Sequence, residues 1–234
     1  MTKTMMAMTW TTRTRTINLI TDGAGRVDGV FSQEELAKVV KYMSKMTKHY
    51  TCDTGNSFSG ISQDHMMYPW FCEHIFNRIK ELTPVDVQLL FGSYLYETAP
   101  FKLHSDYYHS SKGKPYMAFL IPISVDDDMT QTERVNTVIF NEEDTYVDND
   151  AEHKSYSPEL WHKNRTFKEN NAVGHELLGH LPKEDLECLT IQTVANWRLG
   201  SVIYWDERYL HSSDNFVQNG VTSKQALVIH TYVV

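Results

Sequence analysis

Tyr94-Leu95-Tyr96-Glu97-Thr98-Ala99-Pro100-Phe101-Lys102-Leu103-His104-Ser105-Asp106 closes a β-rich run and ends in a His-x-Asp pair. On an extended segment residues i and i+2 project to the same side, so the imidazole of His104 and the carboxylate of Asp106 can reach one ion. Far downstream a second strand-like run, Gly200-Ser201-Val202-Ile203-Tyr204-Trp205-Asp206, leads to Leu210-His211-Ser212 and offers His211 as a third ligand. Two histidines and one carboxylate on one face of an octahedron leave three positions open, a donor set that suits Fe(II).

The chain has 11 histidines, and the other clusters do not meet a metal spacing. His175 and His180 are five apart with Gly179 between them, whereas a zinc-protease helix needs histidines four apart on one face. His153, His162, His175 and His180 read as solvated loop residues. Lys224 has a different context. It opens the strand Gln225-Ala226-Leu227-Val228-Ile229-His230 beyond His211, and a cation at that position in an acidic protein suggests an anion partner. An ammonium that meets a carboxylate in a partly dry interior makes a charge-assisted bond.

Around these residues the chain divides into helices and then strands. Ser32-Gln33-Glu34-Glu35 is a capping box, and Leu36, Val39, Val40 and Met43 recur at helical spacing, which predicts a helix over about 32–46. A second helix is expected near 68–82, with Pro69 in its first turn. Phe71, His74, Ile75, Ile79 and Leu82 form its core stripe, with Trp70 beside it. Strand-like runs follow at Val85 to Glu97, Pro115 to Val125, Val135 to Asn141, Leu189 to Trp197, Ser201 to Trp205 and Gln225 to Val234. This order reads as α+β, mainly β, with one antiparallel sandwich or barrel behind the helices. The polar stretch at about 144–185 lies between two strand blocks and reads as a lid over a site. Trp161 and Phe167 within it are candidate substrate clamps, and Tyr107, Tyr108 and His109 are candidates to face substrate.

With 234 residues, 41% of them hydrophobic and 12% aromatic, the chain reads as one domain over 1–234 with enough material for a core. Residues 1–84 are the expected helical support and 85–234 the β core. Its 30 acids against 22 bases give a net charge of −8, so no phosphate-neutralising face is implied and nucleic acid is not supported as a partner. No apolar stretch approaches a membrane span and Met1 to Arg15 has no apolar signal core, so the chain reads as unexported and cytoplasmic. Cys52, Cys72 and Cys188 fit neither a disulfide framework nor a paired zinc site, and read as reduced thiols.

The order of helices, strand, His104-x-Asp106, further strands, His211 and Lys224 resembles the 2-oxoglutarate and Fe(II)-dependent oxygenases. The tyrosine-led strand into His104-x-Asp106 is similar to that of the prolyl-hydroxylase-like members. The resemblance covers roughly Val85 to Val234 and implies a double-stranded β-helix, or jelly roll, with N-terminal supporting helices. It implies Fe(II) on His104, Asp106 and His211, and the distal carboxylate of 2-oxoglutarate on Lys224. Tyr94, and next to it Tyr96, is the implied hydroxyl partner of the cosubstrate, with Asn136 and Thr137 as further pocket residues. The implied reaction uses O2 to hydroxylate an unactivated C–H of a small molecule or protein side chain, releasing succinate and CO2. Many relatives carry arginine, at shorter spacing, where Lys224 stands. Aspartate at 106, in place of a small residue, disfavours the halide-binding variant. A cupin-like metal protein that binds a small acid without oxidising it is the second reading. A structural or carbohydrate-binding jelly roll without tight metal is the third.

Overall fold

Strand β5 (Lys114–Val125) is the centre of the molecule because its sequence is apolar on both faces. Met117, Phe119, Ile121 and Ile123 enter one core, while Ala118 and Leu120 enter another. A strand buried on both sides has no polar alternation, which is why Met117 to Val125 reads as a nearly continuous apolar run. The structure, a computed structural model, describes residues 20, 23–43, 50–51, 56–61, 68–106, 113–143 and 176–234. Its strands are β1 (Ala24–Val27), β2 (Tyr50–Thr51), β3 (Ser57–Ile61), β4 (Gln88–Glu97), β5, β6 (Asn136–Glu143), β7 (Ile191–Asn196), β8 (Val202–Asp206), β9 (Tyr209–Ser213) and β10 (Lys224–Val233).

All pairings between these strands are antiparallel. They form a seven-stranded sheet in the order β1-β8-β5-β10-β4-β3-β2 and a three-stranded sheet in the order β7-β6-β9. Between the sheets lies a core of Leu120, Ile139, Trp197, Trp205, Phe216 and Val228, among others. This is the sandwich expected from the strand pattern, and its mostly β architecture with few helices is that of a jelly roll.

Helices cover the outer face of the large sheet. At the start of α1 (Gln33–Met43), the Ser32 backbone N–H donates to Glu35 Oε2 (2.7 Å) and the Glu35 N–H donates to Ser32 Oγ (3.2 Å). The capping box therefore closes as read, and Leu36, Val39 and Met43 are buried below it. The second helix runs over 68–82 as α2 (Tyr68–Phe71), a π-helical turn (Cys72–Phe76) and α3 (Asn77–Leu82). The wider turn shifts the stripe. Phe71, Ile75, Phe76, Ile79 and Leu82 are buried, while His74 is exposed and stacks on Trp70 at 5.2 Å, contrary to its expected place in the core. None of the described helices is long and apolar enough to cross a membrane.

Several expectations are corrected. Residues before 85 supply more than helical support, because β1 and β3 extend the large sheet at both ends. The far end of the polar stretch carries α4 (Lys183–Glu187) and buries Leu178, Leu181, Leu186 and Leu189 against Val138 and Phe140 on the outer face of the small sheet. That end covers β6, while 144–175, the rest of the stretch read as a lid, lie outside the described residues. His180 is half-buried there, with Nε2 3.2 Å from Ser212 Oγ, so it is not a solvated loop residue. Cys72 is half-buried and Cys188 is buried. Cys52, Tyr107, Tyr108, His109, His153, Trp161, His162, Phe167 and His175 lie outside the described residues.

Gly200 joins the two halves. It has φ +79°, its carbonyl accepts the Phe31 N–H at 3.0 Å, and an added Cβ would lie 2.2 Å from the Phe31 oxygen. Gly200→Ala is expected to cost roughly 2–5 kcal/mol, the sum of left-handed strain and a backbone clash. The shift in urea midpoint at unchanged slope measures it.

Candidate metal centre

The site forms where an extended segment crosses the turn between β8 and β9. The backbone of His104 exchanges two hydrogen bonds with His211, at 3.1 and 2.8 Å, and the Asp106 N–H donates to the Glu207 oxygen at 3.0 Å. The turn is held by Arg208, which donates from its backbone N–H, Nε and Nη2 to Asp206 at 3.0, 2.9 and 2.7 Å. His211 thus belongs to β9, a strand of the small sheet that follows β8 after the two-residue turn. Its side chain faces the inter-sheet space.

The three side chains converge. His104 Nε2 lies 3.7 Å from Asp106 Oδ1, and His211 Nε2 lies 3.3 Å from Asp106 Oδ2. One ligand atom from each residue lies within 4.8 Å of the others. Each imidazole is fixed by its other nitrogen, with His104 Nδ1 at 2.7 Å from the Lys102 oxygen and His211 Nδ1 at 3.1 Å from the Tyr209 oxygen. Backbone carbonyls only accept, so each Nδ1 carries the proton and each Nε2 presents a lone pair to the site. Trp205 donates its indole N–H to Asp106 Oδ2 at 3.1 Å and orients the carboxylate.

Burial sets the protonation states. Desolvation first, and then the neighbouring His211, push the His104 imidazole down to about 4 against the opposing pull of Asp106. For Asp106 burial would raise the carboxyl. The imidazoles of His211, His230 and His104 and the indole of Trp205 outweigh it and hold the group below the usual carboxylate range. At neutral pH the cluster is therefore an imidazole with a free lone pair beside a charged carboxylate, as metal ligation requires.

The triad stands in the wall of a cavity of about 170 Å³, where a single water needs roughly 10–15 Å³, so this is a binding space and not a packing defect. Lys224 and Thr137 line the same cavity. Lys224 is buried, 3.0 Å from Glu97 Oε2, and Thr137 Oγ1 accepts the Trp197 indole N–H at 3.0 Å. The other expected pocket residues are elsewhere. Strand alternation turns Phe91, Ser93, Leu95 and Glu97 of β4 into the cavity, so Tyr94 and Tyr96 belong to the opposite face. Tyr94 packs under the helices and donates its hydroxyl to Gln225 Oε1, which removes it as a cosubstrate partner. Asn136 likewise turns away, donating its backbone N–H and Nδ2 to Asp214 Oδ2 at 2.9 and 2.8 Å.

Four residues of the site were not read from sequence, namely Trp205, Glu97, His230 and Glu207. His230 lines the cavity, stacked on Phe91 at 4.1 Å, and its Nδ1 lies 3.5 Å from Glu207 Oε1. Glu207 is fully buried in the β8–β9 turn, and a bulge at His230/Thr231 lets the Thr231 N–H donate to it at 3.3 Å. Burial opposes protonation of His230, but Asp106 and Glu207 outweigh it and raise its pKa. An acid in a two-residue turn reads as surface, and no local pattern marks it as buried.

No family model matches the sequence, and no curated protein matches it. Solved structures do. The non-haem α-ketoglutarate-dependent epimerase SnoN from nogalamycin biosynthesis, in complex with Fe3+ and α-ketoglutarate, is 12% identical with TM-score 0.58, covering 90% of this chain and 79% of its own. The carbocyclase SnoK is 12% identical with TM-score 0.52 over 90% and 79% of the two chains. HygX from Streptomyces hygroscopicus, with nickel and 2-oxoglutarate bound, is 13% identical with TM-score 0.52 over 90% and 83%. With the sheets, the helical cover and the site all on one chain, these likenesses assign it the jelly-roll fold of the 2-oxoglutarate and Fe(II)-dependent oxygenases.

Proposed function

We propose that the chain is an Fe(II)- and 2-oxoglutarate-dependent oxygenase that hydroxylates an unactivated C–H of a small molecule or protein side chain, releasing succinate and CO2. The observation that carries this reading is the His104, Asp106 and His211 cluster in the wall of the cavity that Lys224 also lines. The donor set fits the metal: two imidazoles tied at Nδ1 and one carboxylate held charged, with no fourth protein ligand in the cluster among the described residues. SnoN and HygX, as their structures are described, bind a metal with α-ketoglutarate or 2-oxoglutarate, which supports the same pairing here.

His104, Asp106 and His211 would hold the iron, and Lys224 would receive the distal carboxylate of 2-oxoglutarate across the cavity. The iron with its cosubstrate supplies the oxidising power for attack on a C–H bond. The protein supplies the rest. Trp205 keeps the Asp106 carboxylate turned to the metal position, and the two backbone carbonyls keep both Nε2 atoms aimed there. Phe58, Phe91, Leu95, Leu120 and Val228 give the cavity an apolar wall that excludes water from the reacting centre. SnoN is described as an epimerase and SnoK as a carbocyclase. Incorporation of oxygen into product is the mark that separates the proposed hydroxylation from those two outcomes.

Anaerobic titration of the purified protein with Fe(II) and 2-oxoglutarate tests the metal and the cosubstrate together. A visible charge-transfer band is expected, absent in His211→Ala. Trp205→Phe is expected to weaken metal binding about 10–100-fold, the usual cost of removing a group that orients a ligand. Lys224→Ala should still bind iron and require at least about tenfold more 2-oxoglutarate, because a charge-assisted bond worth roughly 1.5–3 kcal/mol is lost. Bound metal without a band would favour the cupin-like reading.

The imidazole states give a further expectation for the metal-free protein. His104 is lowered from 6.5 to about 4 on folding, so between those values the unfolded chain takes up a proton that the folded chain refuses. The contribution of His104 to stability is lost as the pH drops through that window and is constant below it. Thermal melts of the parent and of His104→Ala, which removes this contribution, should diverge in slope between pH 6.5 and 4.

A further inference from the structure

Lys224 and Glu97 are direct register partners across the ladder between β10 and β4. Their charged groups lie 3.0 Å apart, with side chains 2% and 7% exposed. Glu97 Oε2 accepts no hydrogen bond among the described residues, so the ion pair is its compensation. The rings of Trp197 and Phe216 lie 4.6 and 5.1 Å from Nζ, which gives the pair apolar surroundings and little screening. Both members line the cavity that holds the metal centre.

A dicarboxylate that reaches Lys224 therefore meets a cation already neutralised by the protein. We infer that Glu97 is a built-in competitor for the cosubstrate's distal carboxylate, and that it sets how tightly and how selectively the site takes 2-oxoglutarate. The inference rests on the reading of Lys224 as the cosubstrate anchor. Without ligand, Glu97 stabilises an ammonium that would be costly to bury alone. With ligand, it loses its claim on Lys224 and becomes a second negative charge beside the first. A purely structural ion pair has a different signature. Its removal would lower stability and weaken the ligand together, whereas removal of a competitor lowers stability and strengthens the ligand.

The experiment is anaerobic binding to the Fe(II)-loaded protein of 2-oxoglutarate and of its 5-amide, whose far end is uncharged. Glu97→Gln is expected to bind 2-oxoglutarate at least about tenfold tighter than the parent protein, in line with the worth of a hydrogen bond to a charged group. It should bind the amide within about twofold of the parent, and its ligand-free form should melt at a lower temperature. Unchanged or weaker 2-oxoglutarate binding in Glu97→Gln, with Lys224→Ala still impaired, overturns the inference and leaves Lys224 as anchor. Unchanged 2-oxoglutarate binding in Lys224→Ala removes the anchor and the inference with it. If Glu97→Gln does not fold, the parent protein decides by its preference for 2-oxoglutarate over the amide. Below about tenfold supports a neutralised cation, and a larger preference overturns it.

Discussion

The site depends on the pair of backbone hydrogen bonds exchanged between His104 and His211. They are the point at which the segment leaving the large sheet is pinned to the edge of the small one, more than a hundred residues away in sequence. Because the bonds are between main chains, they fix where both side chains start without consuming either imidazole. Each ring is then fixed a second time through Nδ1 to a carbonyl two residues back along its own chain, Lys102 in one case and Tyr209 in the other. The same local device used twice leaves two Nε2 lone pairs and one carboxylate facing a common point. The Arg208–Asp206 contacts keep the intervening turn tight enough for Asp106 to join them.

The buried charges around this point come in opposed sets, as a low-dielectric interior demands. Lys224 has Glu97, and His230 has Glu207 with Asp106 as a further source of positive-charge stabilisation. The bulge in β10 links the second set to the fold, since it turns the Thr231 N–H toward Glu207 while Thr231 Oγ1 bonds Met117 of β5. Irregularities in the ladder near a site re-aim groups that a regular strand would keep paired. Here one bulge positions a buried acid below the metal ligands.

Much of this was legible in the residues. The capping box at Ser32 is a local pattern and closes as written, and the alternation that makes strands of β4, β6 and β10 is local too. The His104-x-Asp106 pair needs only an extended backbone to share a face, so its geometry followed from spacing. What was missed depended on parity or on distance. Tyr94 was the first choice for the cosubstrate and Asn136 and Thr137 came after it, yet a strand sends alternate residues to opposite faces, and side-chain chemistry alone does not say which parity of β4 or of β6 is inward. His180 and Leu178 sit in a stretch whose polar composition reads as loop, while their partners, the outer face of β6 for Leu178 and Ser212 and Phe101 for His180, come from outside that stretch. His74 left its stripe because it lies inside the π-helical turn, where the wider winding buries Phe76 as well as Ile75, while Ile79 and Leu82 beyond it stay in the core.

Charge counting shows why the partner of Lys224 matters to the site as a whole. On the proposed reading, a divalent ion on His104, Asp106 and His211 would carry one net positive charge after the carboxylate of Asp106 is counted. A dicarboxylate brings two negative charges, and an unopposed ammonium would make the sum neutral. Glu97 removes that balance, and Asp214 adds a further acid that acts on Lys224, though burial raises its pKa and favours its neutral form. The enclosed site is then short of positive charge once ligand is bound, in surroundings where Coulomb interactions are weakly screened. His230, held toward its charged form by Asp106 and Glu207 on the same cavity wall, is the group in position to offset part of that deficit. Metal affinity, cosubstrate affinity and the stability of the empty protein are therefore coupled through a few buried charges, and a substitution at one of them should not be read as a local event.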